Sequence, residues 1–497
     1  MKITQFIHIM NISEIYIMNK LYDVLIIGAG VTGTMIAREL SKYQLNVVIL
    51  DKNNDAGDAT SSANSAIIHS GYDPEPGTLK AKFNVLGNAK YPELVKQLDV
   101  PFIQCGSLTV AIEEEQLEVL KQLAERSKIN GVPVKLLNKE EVQKLEPNIT
   151  PEIKGALLAP TAGIIDPFNL VVHAMENAID NGVTFLRSHE VLNITFDKDV
   201  YMVSTNKGAL YAKIVINAAG VKADKIAAMV EIIDWAITPR KGEYFLLDHY
   251  AEGLVNHTIF PLPSKKGKGV LVSQTTSGNY IVGPSSELAD PDDVSTDTPT
   301  LANIRSAATL MVPSIPFNQT IRVFAGERAT CTRHDFIIEY AKTNKHFINV
   351  AGIESPGLAS SPAIAEYVVE ELVRPLITLK SNPRFNPCVK PYHRMHYLSE
   401  EQQLQAIKEN PDFGEIICNC EHISLGEIKE ALSRSCPPVS IKGVKRRTRS
   451  GYGKCQGGFC QPKVLMILAK HYGGSPTRIP LAEDGSYIID HEIKEAK

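Results

Sequence analysis

Four cysteines near the carboxyl end have the residue type and spacing of a metal-binding site. One residue separates Cys418 from Cys420, four residues separate Cys455 from Cys460, and thirty-four residues lie between the pairs. Four thiolates bind either a tetrahedral zinc ion or an iron–sulfur cluster. Zinc sites usually place two or more residues between paired cysteines, so the C-x-C pair favours the cluster and leaves zinc as the alternative.

The residues around these cysteines agree with a cluster. The stretch "GYGKCQGGFC" leaves backbone N–H groups free to donate hydrogen bonds to sulfur, which tunes a cluster's potential. The run Lys445–Arg449 supplies positive charge that can offset the negative charge of the thiolates. The alternative for this run is a solvated basic face.

A second motif near the amino end predicts dinucleotide binding. A buried strand, Val24–Ile27, leads into Gly28-x-Gly30-x-x-Gly33, a helical pattern, a second strand, Val47–Leu50, and then Asp51. The glycines permit a tight turn that brings backbone N–H groups close to a pyrophosphate, and the acidic residue can accept hydrogen bonds from ribose hydroxyls. The motif alone does not distinguish FAD from NAD.

Two further observations favour FAD. A helix that begins near Gly357 could direct its positive dipole end toward a reduced flavin ring, which is negatively charged. A hydride also carries two electrons, whereas an iron–sulfur cluster passes one at a time. A flavin accepts the pair and releases the electrons singly, which nicotinamide does poorly.

The substrate is expected to bind between these two motifs. The stretch from Ala59 to Asn84 is dense in Ser, Thr, Asn and Gly, a composition suited to loops around phosphates and a flavin. It contains His69, which could take a hydroxyl proton while a hydride moves to the flavin. Arg328, Arg333 and the lysines Lys265, Lys266 and Lys268 could bind an anionic substrate. Taken singly, each of these side chains is an ordinary structural histidine or surface charge.

Bulk properties exclude several classes. The chain has 497 residues, 44% of them hydrophobic and 22% charged, which is typical of a globular protein with two or three domains. A net charge of -4 gives no reason to expect nucleic acid as a partner. Eight cysteines are too few for a disulfide scaffold, so we expect a cytoplasmic protein. We interpret residues 1–20 as a disordered leader, with Met1 or Met18 as the start.

From Tyr22 to Ala469 the chain resembles the FAD-dependent glycerol-3-phosphate dehydrogenases and oxidases of the D-amino-acid-oxidase superfamily. Within that family it is particularly similar to the first subunit of the anaerobic dehydrogenases. The resemblance rests on "NSAIIHSGYDPEPGTLKAK", "GIESPGLASSPAIAE" and "RRTRSGYGKCQGGFC". The first two motifs also occur in relatives that oxidise L-2-hydroxyglutarate. The carboxyl-terminal part resembles the bacterioferritin-associated-ferredoxin (BFD) type of [2Fe-2S] domain.

The resemblance implies roles for individual residues. His69 matches the active-site histidine, Arg328 the substrate-binding arginine, and Lys268 a lysine on the phosphate side. The arginine segment reads "GERATCTRHDF" rather than the "GLRP"-like form of many aerobic dehydrogenases, which leaves the choice between Arg328 and Arg333 open. The residues implied for FAD are Gly28, Gly30, Gly33, Asp51, Thr60, Ser61, Asn64, Ser65, Ala219, Gly220, Gly352, Gly357 and Leu358, and those for the cluster are Cys418, Cys420, Cys455 and Cys460.

The predicted fold is α/β. A Rossmann-like FAD-binding domain is interleaved with a mostly antiparallel β substrate domain and followed by a small helical [2Fe-2S] domain. The predicted boundaries are 21–100, 160–225 and 325–377 for the FAD-binding domain, 101–159 and 226–324 for the substrate domain, 378–413 for a linker, 414–473 for the cluster domain and 474–497 for a tail.

The leading hypothesis is oxidation of sn-glycerol 3-phosphate to dihydroxyacetone phosphate. Electrons would leave through the cluster to a partner subunit or a small carrier, and a partner could hold the protein at the inner face of the membrane. The first alternative is a dehydrogenase of 2-hydroxy acids such as L-2-hydroxyglutarate. The second is a redox-sensing protein without turnover, with the basic run as its docking patch.

Overall fold

The computed structural model describes residues 20–249, 253–263 and 269–491. The predicted leader, apart from Lys20, and the candidate anion-binding lysines Lys265, Lys266 and Lys268 fall outside the described residues. Within them, no helix is both long and apolar enough to cross a membrane.

The described residues form twelve α-helices and twenty-two strands. The helices are α1 (Val31–Leu40), α2 (Leu79–Gln97), α3 (Gln116–Asn130), α4 (Lys139–Leu145), α5 (Pro167–Asp180), α6 (Ala223–Ala228), α7 (Thr298–Met311), α8 (Gly357–Tyr367), α9 (Glu400–Glu409), α10 (Leu425–Leu432), α11 (Ile441–Thr448) and α12 (Gln461–His471). The strands are β1 (Leu21–Ile27), β2 (Val47–Leu50), β3 (Ile67–Ile68), β4 (Phe102–Ile103), β5 (Ser107–Ala111), β6 (Lys135–Asn138), β7 (Gly155–Ala159), β8 (Gly163–Ile165), β9 (Thr184–Leu186), β10 (Val191–Asp197), β11 (Val200–Thr205), β12 (Gly208–Asn217), β13 (Arg240–Leu247), β14 (Thr258–Phe260), β15 (Leu271–Gln274), β16 (Tyr280–Gly283), β17 (Glu287–Leu288), β18 (Thr320–Arg328), β19 (Ile337–Tyr340), β20 (Phe347–Ala351), β21 (Ile416–Cys418) and β22 (Ile423–Ser424).

The first sheet has the parallel centre of a dinucleotide-binding fold. Its strands run in the order β10–β11–β12–β1–β2–β9, and β20 pairs with the carboxyl end of β12 and then with β19. β1 is parallel to both β2 and β12, and Val24, Leu25 and Ile26 are fully buried. A parallel strand covered on both faces requires such an unbroken apolar run.

The second sheet is larger and mostly antiparallel. Its strands run in the order β17–β13–β16–β15–β14–β5–β7–β6, with β18 against the other edge of β13. Within the described residues β14 and β5 form its one parallel pair. The predicted α/β class with an interleaved antiparallel domain is therefore confirmed. β18 pairs with β13 along its whole length, so Ala325–Arg328 belong to this sheet although we predicted a boundary at 325.

The segment predicted as a linker, 378–413, packs against the rest of the protein. It contains α9, which begins at a capping box formed by Ser399 and Gln402. The ring of Tyr392 stacks on His173 with centroids 4.6 Å apart, and Arg394 pairs with Asp99 at 2.8 Å. These contacts were not predicted, because the prolines interrupt the hydrophobic periodicity of the segment without preventing it from packing against the rest of the protein.

The carboxyl-terminal part is small and mostly helical. α10, α11 and α12 surround a buried core with the short β21–β22 pair. The predicted tail also has contacts, since Asp484 accepts hydrogen bonds from Asn54 at 3.0 Å and from Ser188 at 2.6 Å. These bonds connect the end of the chain to the first sheet.

Candidate functional site

The glycine turn after β1 leaves no room for side chains. Gly28 has a φ of +103°, and a Cβ atom on Gly33 would lie 1.9 Å from the carbonyl oxygen of Gly28. Asp51, at the end of β2, accepts hydrogen bonds from the N–H groups of Ala29 at 2.7 Å and Asn53 at 2.9 Å. Burial raises the pKa of Asp51. The turn therefore presents bare backbone at the start of α1 with a carboxylate beside it, as a dinucleotide requires.

The loop 59–66 passes over the start of α1. The Ser61 hydroxyl accepts a hydrogen bond from the N–H of Val31 at 2.9 Å, and the Asn64 amide donates to the carbonyls of Thr60 and Ser61. Ser65 lies 3.1 Å from the hydroxyl of Tyr244 on β13. These bonds hold the loop between the two sheets.

A cavity of about 160 Å³ lies between this loop, the start of α8 and the end of β18. It brings together residues predicted from segments far apart in sequence. They are Gly30, Thr60, Ser61, Asn64, Ser65, His69, Gly220, Arg328, Gly357 and Leu358. Gly28, Asp51 and Ala219 lie at the adjoining ends of β1, β2 and β12, and Gly33 lies in the first turn of α1. Gly352 lies just beyond β20 against Cys331, with a φ of +66°.

His69 is positioned through its backbone. Its carbonyl oxygen accepts hydrogen bonds from the amides of Asn84 at 2.6 Å and Asn88 at 3.1 Å, one turn apart on α2. Its ring packs near Phe260, with centroids 5.7 Å apart. The backbone bonds fix where the imidazole enters the cavity.

The two candidate arginines have different surroundings. Arg328 lines the cavity and donates to the carbonyl of Ser285 at 2.8 Å. Arg333 instead forms ion pairs with Asp234 and with Glu339 on the protein surface. The geometry favours Arg328 as the residue that meets a bound anion.

Two ionisable residues that line the cavity, Tyr244 and Glu354, were missed by the sequence reasoning. Tyr244 carries no local motif that could have identified it. Glu354 lies within "GIESPG" and was passed over; it pairs with Lys80 at 2.7 Å and accepts a hydrogen bond from Thr330 at 2.7 Å. Both come from segments whose proximity to the cavity depends on the fold.

The four predicted cysteine ligands come together as two pairs. Cys420 and Cys455 have sulfur atoms 3.6 Å apart, and a hydrogen bond from the Cys460 thiol lowers the pKa of Cys418 to about 6. The N–H of Gly451 points at the Cys418 sulfur at 3.5 Å, as the glycine-rich stretch suggested. Among the described residues no three ligating side chains stand around a single point. Two thiol pairs suit two irons better than one tetrahedral zinc.

The basic run on α11 is neither a solvated face nor a docking patch. Arg447 is 5% exposed and donates two hydrogen bonds to Asp55, at 2.7 and 2.8 Å. Arg446 pairs with Asp58, and Lys442 reaches the same carboxylate at 2.9 Å. Burial alone would raise the pKa of Asp55, but the charge of Arg447 lowers it. The run locks the cluster domain onto the loop that follows β2.

The residues present fit both cofactors. A side chain on Gly28 or Gly33 would collide with backbone atoms, so the bare turn lets a phosphate group approach closely. The Asp51 carboxylate lies beside the turn, where it can accept hydrogen bonds from a ribose. Beside the cysteines, a Cβ atom on Gly453 would come within 2.5 Å of Cys420, so this loop too is kept bare.

Comparison with known proteins agrees with this geometry. Residues 23–371 match the family model of FAD dependent oxidoreductases, and residues 416–470 match that of the BFD-like [2Fe-2S] binding domain. The chain is 46% identical to a glycerol 3-phosphate dehydrogenase of Caloramator mitchellensis over 95% of this chain and 99% of that protein. It is 36% identical to a glycerol 3-phosphate oxidase of Mycoplasma genitalium over 73% of this chain and 97% of that protein.

A solved structure extends the likeness to the fold. The L-alpha-glycerophosphate oxidase from Mycoplasma pneumoniae, with FAD bound, matches with a TM-score of 0.72 and 33% identity, covering 75% of this chain and 100% of that one. The predicted cofactors, FAD and a [2Fe-2S] cluster, are thereby confirmed. The chain belongs to the family of FAD-dependent oxidoreductases, and its carboxyl-terminal part is a BFD-like [2Fe-2S] domain.

Proposed function

We propose that the protein oxidises sn-glycerol 3-phosphate to dihydroxyacetone phosphate. The observation that carries the proposal is the cavity that places His69 and Arg328 beside the loop 59–66 and the start of α8. The likeness over nearly the whole chain to a glycerol 3-phosphate dehydrogenase supports this substrate. FAD, when bound, supplies the acceptor for the hydride that leaves C2 of the substrate.

In this proposal His69 accepts the proton of the C2 hydroxyl as the hydride departs, so the carbon–oxygen bond becomes a carbonyl. Arg328 binds the phosphate through charge-assisted hydrogen bonds and orients the C2–H bond. Tyr244 and Ser65 close one wall of the cavity through their shared hydrogen bond, which limits the entry of water.

We further propose that electrons leave through the carboxyl-terminal domain. A [2Fe-2S] cluster passes electrons one at a time when bound. Cys418 and Cys460 are buried whereas Cys420 and Cys455 are partly exposed, so one thiol pair faces the protein and the other faces its surroundings. The acceptor, a partner subunit or a small carrier, would approach the exposed pair.

The substrate assignment is tested by anaerobic mixing of the purified holoenzyme with single compounds. Rapid loss of flavin absorbance is expected with sn-glycerol 3-phosphate, and slow or no loss with glycerol or L-2-hydroxyglutarate. Rapid reduction by L-2-hydroxyglutarate alone would contradict the proposal. Failure of every compound to reduce the flavin, with dithionite still effective, would favour a redox sensor.

Replacement of Arg328 by lysine is expected to raise the KM for glycerol 3-phosphate by about ten- to a hundredfold, because the planar two-point contact with phosphate is lost. Steady-state kinetics with an artificial dye measure the change. Arg333→Lys is the matched control, since Arg333 pairs on the surface, and its KM is expected to stay near that of the wild type. The reverse pattern would reassign the anion site to Arg333.

Replacement of Cys455 by serine is expected to weaken or abolish the cluster while glycerol 3-phosphate still reduces the flavin. Low-temperature EPR of the dithionite-reduced protein should lose the signal of the binuclear centre. Transfer to a one-electron protein acceptor should fall at least about tenfold, because the exposed exit is gone. Cys388→Ser, at an exposed cysteine outside the cluster domain, is the control. Unchanged transfer without the EPR signal would remove the cluster from the electron path.

A further inference from the structure

A second and larger cavity lies where the three domains meet. Its volume is about 730 Å³, within the range of small-molecule sites. One wall is the loop 59–66, including Ala63 and Asn64, which also line the smaller cavity. The opposite wall is the cluster domain, including Cys460. His69 and Arg328 line the smaller cavity and not this one.

The charges around the larger cavity are unbalanced. Its lining carries five cationic side chains, Arg322, Lys442, Lys445, Arg446 and Arg449, against Asp166 as the single carboxylate among the described lining residues. The Asp166 carboxylate is already engaged, because it accepts hydrogen bonds from two N–H groups at the start of α5. The cavity is therefore strongly electropositive.

Three of these cations pair with carboxylates among the described residues. Lys442 and Arg446 pair with Asp58, and Arg449 pairs with Glu421 at 2.9 Å. Arg322 and Lys445 make no ion pair within the described residues.

Both instead approach the neutral amide oxygen of Gln456, at 3.4 and 3.5 Å. Burial, followed by the charges of Arg322 and Arg449, lowers the pKa of Lys445 to about 8. Two cations that share one neutral oxygen atom could both donate charge-assisted hydrogen bonds to an anion bound beside them.

Aromatic rings lie next to this pair of cations. The ring of Tyr452 lies 4.6 Å from the Lys445 ammonium, and its centroid is 5.9 Å from that of Phe168. Phe324 lines the same cavity from β18. A bare phosphate ion would fill only a small part of the volume, and the rings of Phe168 and Tyr452 border the remaining space.

We propose that the larger cavity binds an organic phosphate that carries a planar ring, the chemical class of the mononucleotides. Arg322 and Lys445 hold the phosphate, and Phe168 and Tyr452 contact the ring. The site is distinct from the smaller cavity, and the proposal does not depend on which compound the enzyme oxidises.

Calorimetric titration of the holoenzyme, in excess FAD, with AMP as the probe tests the proposal. AMP is expected to bind, and Arg322→Gln and Lys445→Gln are each expected to weaken binding about tenfold or more, because each removes one charged hydrogen bond. Lys463→Gln, which removes an exposed lysine on α12 outside the lining, is the matched control and should bind as the wild type does. Inorganic phosphate should bind much more weakly than AMP.

An acid extract of the purified protein covers the case in which the site is already filled. It should then contain phosphorus in excess of that contributed by FAD, and this excess should disappear in Arg322→Gln and Lys445→Gln. The proposal is overturned if AMP does not bind and the extract shows no excess. It is equally overturned if affinity or excess is unchanged in both variants, or if inorganic phosphate binds as tightly as AMP.

Discussion

Replacement of His69 by glutamine is expected to slow flavin reduction by glycerol 3-phosphate by about 10²- to 10⁴-fold, the usual contribution of a general base. Glutamine retains hydrogen-bonding capacity and approximate size but cannot accept the hydroxyl proton. The bonds from Asn84 and Asn88 go to the backbone carbonyl of residue 69, so the loop should keep its position in the variant. FAD content should therefore be unchanged.

Anaerobic stopped-flow absorbance measures the rate, and reduction by dithionite shows that the flavin remains competent. His491→Gln is the matched control because His491 is exposed, far along the chain, and pairs only with the exposed Asp490 among the described residues. A wild-type rate in His69→Gln would show that the proton goes elsewhere, and Glu354 would then be the next candidate in the cavity.

Replacement of Asp55 by alanine is expected to reduce the free energy that holds the cluster domain in place by about 3–5 kcal/mol. The variant leaves the Arg447 guanidinium, 5% exposed, without its carboxylate. A buried charge that has lost its partner costs far more than an exposed one. Because Arg447 lowers the pKa of Asp55, this stabilisation is complete above about pH 4 and is lost as the pH falls further.

Urea denaturation and limited proteolysis between residues 378 and 413 measure this effect. We expect a lower midpoint, earlier cleavage and slower transfer of electrons from the flavin to the cluster domain. The double replacement Asp55→Leu with Arg447→Leu should recover much of the stability, since it leaves no buried charge unpaired. Asp234→Ala, at an exposed ion pair, is the control. Equal sensitivity of the two single variants would show that the Asp55–Arg447 pair does not hold the domains together.

The cofactor-binding motifs could be recognised in the sequence because the residues of each motif lie close together along the chain. The glycine turn and Asp51 are joined by one strand–helix–strand unit, and the thiols of each cysteine pair are separated by a few residues. Steric limits on glycine and the ligand preferences of metals act at that same short range. They were sufficient to predict a dinucleotide site, a four-thiolate site and the α/β class, and the one-electron chemistry of a cluster then favoured FAD over NAD.

Other features depended on contacts between distant segments. The sequence favoured Arg328 but left Arg333, five residues away, as the alternative. The fold places Arg328, at the end of β18, in the cavity and pairs Arg333 with Asp234. The pairing of the basic run on α11 with Asp55 and Asp58 was not predicted, because these carboxylates lie almost 400 residues earlier in the chain.

By itself, then, the sequence indicated which cofactors the chain can hold. The residues of each cofactor motif are only a few positions apart, so the covalent chain keeps them close together. The tertiary structure decided which charges are paired, which arginine lines the smaller cavity, and that an electropositive space separates the flavin loop from the cluster domain. Charge pairing and cavity shape arise from surfaces brought together by folding, and no local pattern encodes them.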